Sequence, residues 1–134
     1  MKFKLLILLS SFSLLTACQV VSPIFVDYNG IRMDVAKWIN NHQLLTMQQK
    51  RSLAQLSKAQ QKLVNIEKIK PDQKLAIAKE NAIALHCANL HVSQRKIEQL
   101  QDHIFEADRK AVILKQMDEQ FPKVKINVNS IQCE

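Results

Sequence analysis

A single glycine, Gly30, serves a chain of 134 residues. That scarcity constrains the fold more than any other feature. Tight hairpins need residues that accept positive φ, and a backbone that approaches a ligand closely needs a residue without a Cβ. Glycine-rich phosphate cradles and nucleophile elbows are closed off for the same reason. A chain poor in Gly, with three Pro and many Gln, Lys, Leu and Ala, has a helical composition. The expected fold class is all-α: a small bundle or hairpin of three to four helices with an extended C-terminal tail.

Apolar spacing places the helices. Asn29-Gly30 reads as a turn before a first helix from about Ile31 to Asn40. Thr46 followed three positions later by Gln49 is a capping-box pattern, in which each side chain satisfies a free backbone N–H at a helix start. Leu53, Leu56, Leu63 and Ile66 then recur at three- and four-residue offsets, which predicts a helix to about Ile69, ended by Pro71. Pro71-Asp72 opens another, with Leu75, Ala78, Ala82 and Leu85 on its apolar face, and His91-Val92-Ser93 either bends the chain or continues the helix. From Ile97 the spacing through Leu100, Ile104, Ala107, Ala111 and Leu114 to Phe121 predicts one helix of about 25 residues, roughly 37 Å long.

Val124, Ile126 and Val128 alternate with polar residues, but one short strand cannot pair with itself, so this stretch reads as a tail laid over the helices. Residues 47–70 are strongly basic and residues 98–119 mostly acidic, which suggests side-by-side packing of the two. Each exposed ion pair would add only about 0–1 kcal/mol.

The N-terminus carries a different kind of information. Lys2 and Lys4 precede an apolar run from Leu5 to Leu15, and small residues close it. That order is a secretory signal, and its apolar run is shorter than the roughly 20 residues a membrane span requires. Leu15-Thr16-Ala17-Cys18 resembles the lipobox of bacterial lipoproteins. The resemblance implies diacylglyceryl transfer to the Cys18 thiol, whose sulfur accepts the lipid, and cleavage before it. Residues 1–17 are then a signal peptide, 18–30 a lipidated stem and 31–134 the helical domain. Gln19, where an Asp would favour retention on the inner membrane, implies a lipid-anchored outer-membrane location facing the periplasm. Two or more acyl chains make such anchoring stable.

Loss of Lys2 and Lys4 lowers the formal charge from +7 to +5. A surface of that charge suits the anionic head groups of a membrane or an anionic envelope polymer, unless the surplus lysines serve only solubility. Nucleic acid is not an expected partner outside the cytoplasm.

With Cys18 lipidated, Cys87 and Cys133 remain as an even pair. In an oxidising compartment they read as a disulfide, with free thiols or an intermolecular bridge as the alternatives. Cys87 and His91 share a helical face beside His86, and His103 follows. A metal site wants three or four ligands, so the competing reading of ordinary helix-surface residues prevails and no metal is assigned. No spacing implies a nucleophile with its base, and no cofactor signature is present. No enzymatic activity and no cofactor are therefore expected.

Tyr28-Asn29, Trp38-Ile39-Asn40-Asn41, Leu45 and Gln49 resemble the opening motif of an uncharacterised family of Gram-negative envelope lipoproteins. The resemblance spans about 22 residues. Tyr28 and Trp38 are expected to anchor the first helix to the core. Leu45-Thr46-Met47-Gln48-Gln49, and more loosely Ile69-Lys70-Pro71-Asp72-Gln73, are similar to the helix-opening strings of periplasmic Spy/CpxP-type proteins. The expected function is a non-enzymatic structural or adaptor role, with the membrane and an envelope protein or polymer as partners. The alternative is a Spy/CpxP-like chaperone or envelope-stress sensor.

Overall fold

The computed structural model describes residues 30–134. The fold is all-α, and no strand occurs among the described residues. Five α-helices follow in order: α1 (Met33–Asn41), α2 (Met47–Gln61), α3 (Lys74–His91), α4 (Gln94–Phe105) and α5 (Ala107–Gln120). Single 3₁₀ turns occupy Ile66–Lys68, Pro71–Gln73 and Val128–Ser130.

The central element is α2. Eight of its fifteen residues are buried, including polar ones, because it packs against α1, α3 and α4 at once. Its start is fixed by the reciprocal bonds of the capping box: Gln49 N donates to Thr46 Oγ1 (3.2 Å), and Thr46 N donates to Gln49 Oε1 (2.9 Å). The most extensive helix–helix contact is between α2 and α3. Ala59 on one helix and Ala78, Ala84 and Ala88 on the other are small enough to let the axes approach. Val35, Ile39, Leu53, Leu56, Ile97, Leu100, Ile104, Phe105 and Ile113 complete a single core. Burying each of the larger ones is worth about 1.5–3 kcal/mol.

Four details depart from the expectations. The second helix ends at Gln61 rather than Ile69. Leu63 N and Val64 N bond back three residues, to Gln60 O and Gln61 O, which tightens the last turn, and Asn65 leaves helical geometry (φ −112°, ψ 54°). Leu63 and Ile66 are nonetheless both buried. Of the two alternatives open at His91-Val92-Ser93, the break is the one found: Ser93 Oγ accepts from Lys96 N (3.3 Å) and caps α4.

The single long helix expected from Ile97 to Phe121 is two helices. Glu106 sits at φ 58° and divides them. Ala107 and Ala111, expected on the apolar face, are exposed, whereas Ile113 and Phe121 are buried. The turn resets the helical phase and folds α5 against α4, with Lys110 Nζ paired to Asp102 Oδ1 at 2.5 Å across the joint.

The apolar face of α3 is only partly the expected one, with Ala78 buried as the spacing has it. Leu75 (47% exposed) and Leu85 (37%) stand towards solvent, while Asn81, Ala84, Cys87 and Ala88 face inward. Ion pairing also differs. Among the described residues the ion pairs of α2 and the residue that follows it run from Lys58 to Glu134 in the tail and from Lys62 to Glu80 on α3, and α2 meets α4 through the apolar core. Lys50 is buried, and its Nζ donates to Asn40 O at the end of α1 (3.2 Å), where a cation complements the helix dipole.

Candidate functional site

Cys87 lies wholly buried on the inner face of α3, and the tail returns to it. Cys87 and Cys133 form a disulfide with their Cα atoms 5.5 Å apart. Val124 and Ile126 are half-buried in the returning tail. The 3₁₀ turn at Val128–Ser130 ends the alternation, which leaves Val128 exposed. Glu134 then lies across α2: Gln48 Nε2 donates to its carbonyl (3.0 Å), its N–H donates to Gln55 Oε1 (3.4 Å), and Lys58 pairs with its carboxylate (3.4 Å). The tail therefore ties α2 and α3 together from outside.

A second cluster joins α1 to α4 around Trp38. This half-buried indole packs against the core, with the His42 ring at 4.3 Å and the His103 ring at 4.9 Å. Lys96 Nζ lies 5.7 Å from the Trp38 ring centroid, within range of a cation–π contact. His42 Nδ1 is 2.7 Å from Trp38 O. Gln49, besides capping α2, donates from Nε2 to His91 O (3.1 Å), so it also fastens the start of α2 to the end of α3. In the second Gln string, Lys70 N donates to Gln73 Oε1 (3.3 Å), the same service at the entry to α3.

Nothing in the spacing pointed to Arg32, yet it organises this end of the molecule. Its guanidinium meets Asp34 with two bonds (Nε to Oδ1 2.8 Å, Nη2 to Oδ2 2.7 Å) and donates to the last-turn carbonyls of His103 (2.9 Å) and Ile104 (3.2 Å) on α4. The hydrogen bond from Arg32 lowers the Asp34 carboxyl to about 2 and raises the guanidinium in turn. Gln61 clamps the preceding turn, donating to Gly30 O (2.9 Å) and accepting from Arg32 N (2.6 Å). Gly30 itself takes φ 82°, a conformation that suits glycine.

Of the other singled-out residues, Cys18, Tyr28 and Asn29 lie outside the described residues, as do the signal segment and nearly all of the stem. His86 and His91 flank Cys87 half-buried, but the Cys87 sulfur is committed to the disulfide. Among the described residues no three His, Cys, Asp or Glu side chains are grouped to hold a metal ion. The hydroxyl bonds of Ser57, Ser93 and Ser130 all run to main-chain groups. No described helix is long and apolar enough to cross a membrane. Comparison of the chain with family models, with curated proteins and with solved structures gave no match.

Proposed function

We propose that the protein is a lipid-anchored component of a bacterial envelope, held to the outer membrane through Cys18, whose helical domain acts in the periplasm as a structural or adaptor element rather than as an enzyme. The observation that carries this reading is the allocation of the three cysteines. Cys87 and Cys133 bond to each other, so Cys18 has no cysteine partner within its own chain, and Cys18 is the residue that ends the lipobox-like string Leu15-Thr16-Ala17-Cys18. A structural disulfide suits an oxidising compartment, which is where a secretory signal would deliver the chain. The positive surface adds a reason to sit near anionic head groups or an anionic polymer.

Intact mass spectrometry of the detergent-extracted protein, with and without reductant and a thiol-blocking reagent, tests this directly. The expected species begins at Cys18, carries acyl chains and exposes two thiols only after reduction. A full-length, unacylated species recovered in the soluble fraction would overturn the anchor. Substitution of Cys18 by Ala is expected to leave an uncleaved precursor.

A further inference from the structure

The side chain of Gln49 draws two turns together at the start of α2. Its Oε1 accepts from Thr46 N (2.9 Å) and its Nε2 donates to His91 O (3.1 Å), so the α1–α2 turn and the α3–α4 turn lie side by side. Gly30, where the described chain begins, is held instead at the last residue of α2 by Gln61, about 18 Å further along the helix. Each of the two turns displays a leucine. Leu45 N donates to His42 O (3.2 Å), which closes a tight turn, and Leu45 packs on the core. Leu44 is thereby held outward and is 99% exposed, while Leu90 in the last turn of α3 is 60% exposed. Three cations adjoin them: Arg51 early in α2, and Arg95 and Lys96 in the first turn of α4. None of the three forms an ion pair among the described residues. Lys96 meets only neutral partners, Gln99 Oε1 (2.8 Å) and the Trp38 ring. The carboxylates at this end are engaged: Glu98 accepts from Gln94 Nε2 (3.2 Å), and Glu134 pairs with Lys58.

We propose that this end of the domain is a second point of membrane contact: it docks on an anionic phospholipid surface, with Leu44 and Leu90 at the acyl boundary and Arg51, Arg95 and Lys96 against the phosphates. Leucines held in water are unfavourable, and the boundary between head groups and acyl chains removes that cost. Near an anionic bilayer each cation strengthens binding about fivefold at low salt. The leucines decide between anionic partners. A soluble polyanion would meet the cations but offers no apolar phase to Leu44. A protein partner needs roughly 800 Å² of complementary surface, whereas a side chain so fully exposed on a turn projects from the surface and lines no groove. The docking does not depend on Cys18. That it makes a two-point attachment rests on the anchor proposed above.

The test loads the full, detergent-extracted protein into neutral phosphatidylcholine vesicles. Labelled acceptor vesicles are then added, of phosphatidylcholine alone or mixed with phosphatidylglycerol, and co-sedimentation measures their capture. The expected result is capture of the anionic acceptors only, weakening as salt rises. Leu44→Ser combined with Leu90→Ser should lower capture at least about tenfold. Arg95→Gln combined with Lys96→Gln should lower it about 25-fold. Lys68→Gln combined with Lys70→Gln, at exposed positions between α2 and α3, should leave it unchanged. Circular dichroism checks that each variant keeps the fold. Loaded vesicles that capture nothing, or capture neutral acceptors equally well, would overturn the proposal. So would capture that survives the leucine substitutions, meaning a site for any polyanion, or that falls equally in the Lys68 and Lys70 variant, meaning bulk charge alone. Protein that fails to load the neutral vesicles would count against the anchor and not the docking end. The same variants are then sedimented directly with the anionic vesicles, with the same expectations.

Discussion

Replacing Cys133 by Ala removes the cross-link with little other damage. Cys133 is half-buried, and the thiol left at Cys87 behaves as a small buried apolar group. Substituting Cys87 by Ser would confound the result, because a hydroxyl left unsatisfied in the core costs about 1–3 kcal/mol by itself. The two cysteines stand 46 positions apart in sequence. Opening a loop of that length returns entropy to the unfolded chain worth about 4 kcal/mol at 25 °C. The exposed Lys58–Glu134 pair, released with the tail, adds about 0–1 kcal/mol more. In a domain near a hundred residues each kcal/mol moves Tm by about 4–8 °C, so the variant should melt roughly 15–30 °C below the oxidised protein. Calorimetry of three samples checks this: oxidised wild type, wild type under reductant, and Cys133→Ala. The last two should coincide. A fall of less than about 5 °C, or a reduced wild type that melts with the oxidised form, would refute the loop-entropy reasoning and leave the tail an ornament of the fold.

Three further outcomes follow from the geometry. Thr46→Ala deletes one half of the capping box and should cost about 1 kcal/mol in urea unfolding, with an unchanged m-value. Glu106→Gly should raise stability by about 1 kcal/mol. It relieves a strained positive φ worth about 1–3 kcal/mol at the expense of roughly 0.5–1 kcal/mol of added chain entropy, and a thermal melt reads the difference. Asp34, whose carboxyl is lowered to about 2 by Arg32, contributes stability that is present above pH 4 and fades as the pH falls through 2. Because the pair is open to solvent the effect is at most about 1 kcal/mol, visible as an acid-unfolding difference between wild type and Asp34→Asn that closes at the lowest pH.

Along α2 and α4 burial was more legible than path, whereas Leu75, Leu85, Ala107 and Ala111 carry apolar spacing and are exposed. Leu53, Leu56, Leu63, Ile66, Ile97, Leu100 and Ile104 all carry the three- and four-residue spacing, and all are buried. The same spacing does not say whether the backbone between two buried residues stays helical. Leu63 and Ile66 reach the core from beyond the end of α2, and the change at Glu106 rests on a single residue with no glycine to announce it. The capping box was readable because it is local, requiring only Thr46 and Gln49 on one turn. The cross-link was readable because so few cysteines allow so few pairings. By contrast, the contacts of Arg32 with His103 and Ile104 join residues more than seventy positions apart. The burial of Gln60 and Asn81 likewise depends on which faces of α2, α3 and α5 converge. Polar residues on amphipathic helices read as surface until the neighbouring helix is in place.

The disulfide also decides how the molecule would carry tension. Consider a pull applied to the chain before Gly30 and resisted at Glu134. The load passes along α1, α2 and most of α3, then crosses directly from Cys87 to Cys133. The span of 46 positions that includes α4 and α5 is bypassed, which withholds about 160 Å of contour length from extension. A chain tethered at its N-terminal side could thus yield through its first three helices while the cross-link kept that span closed as a covalent loop.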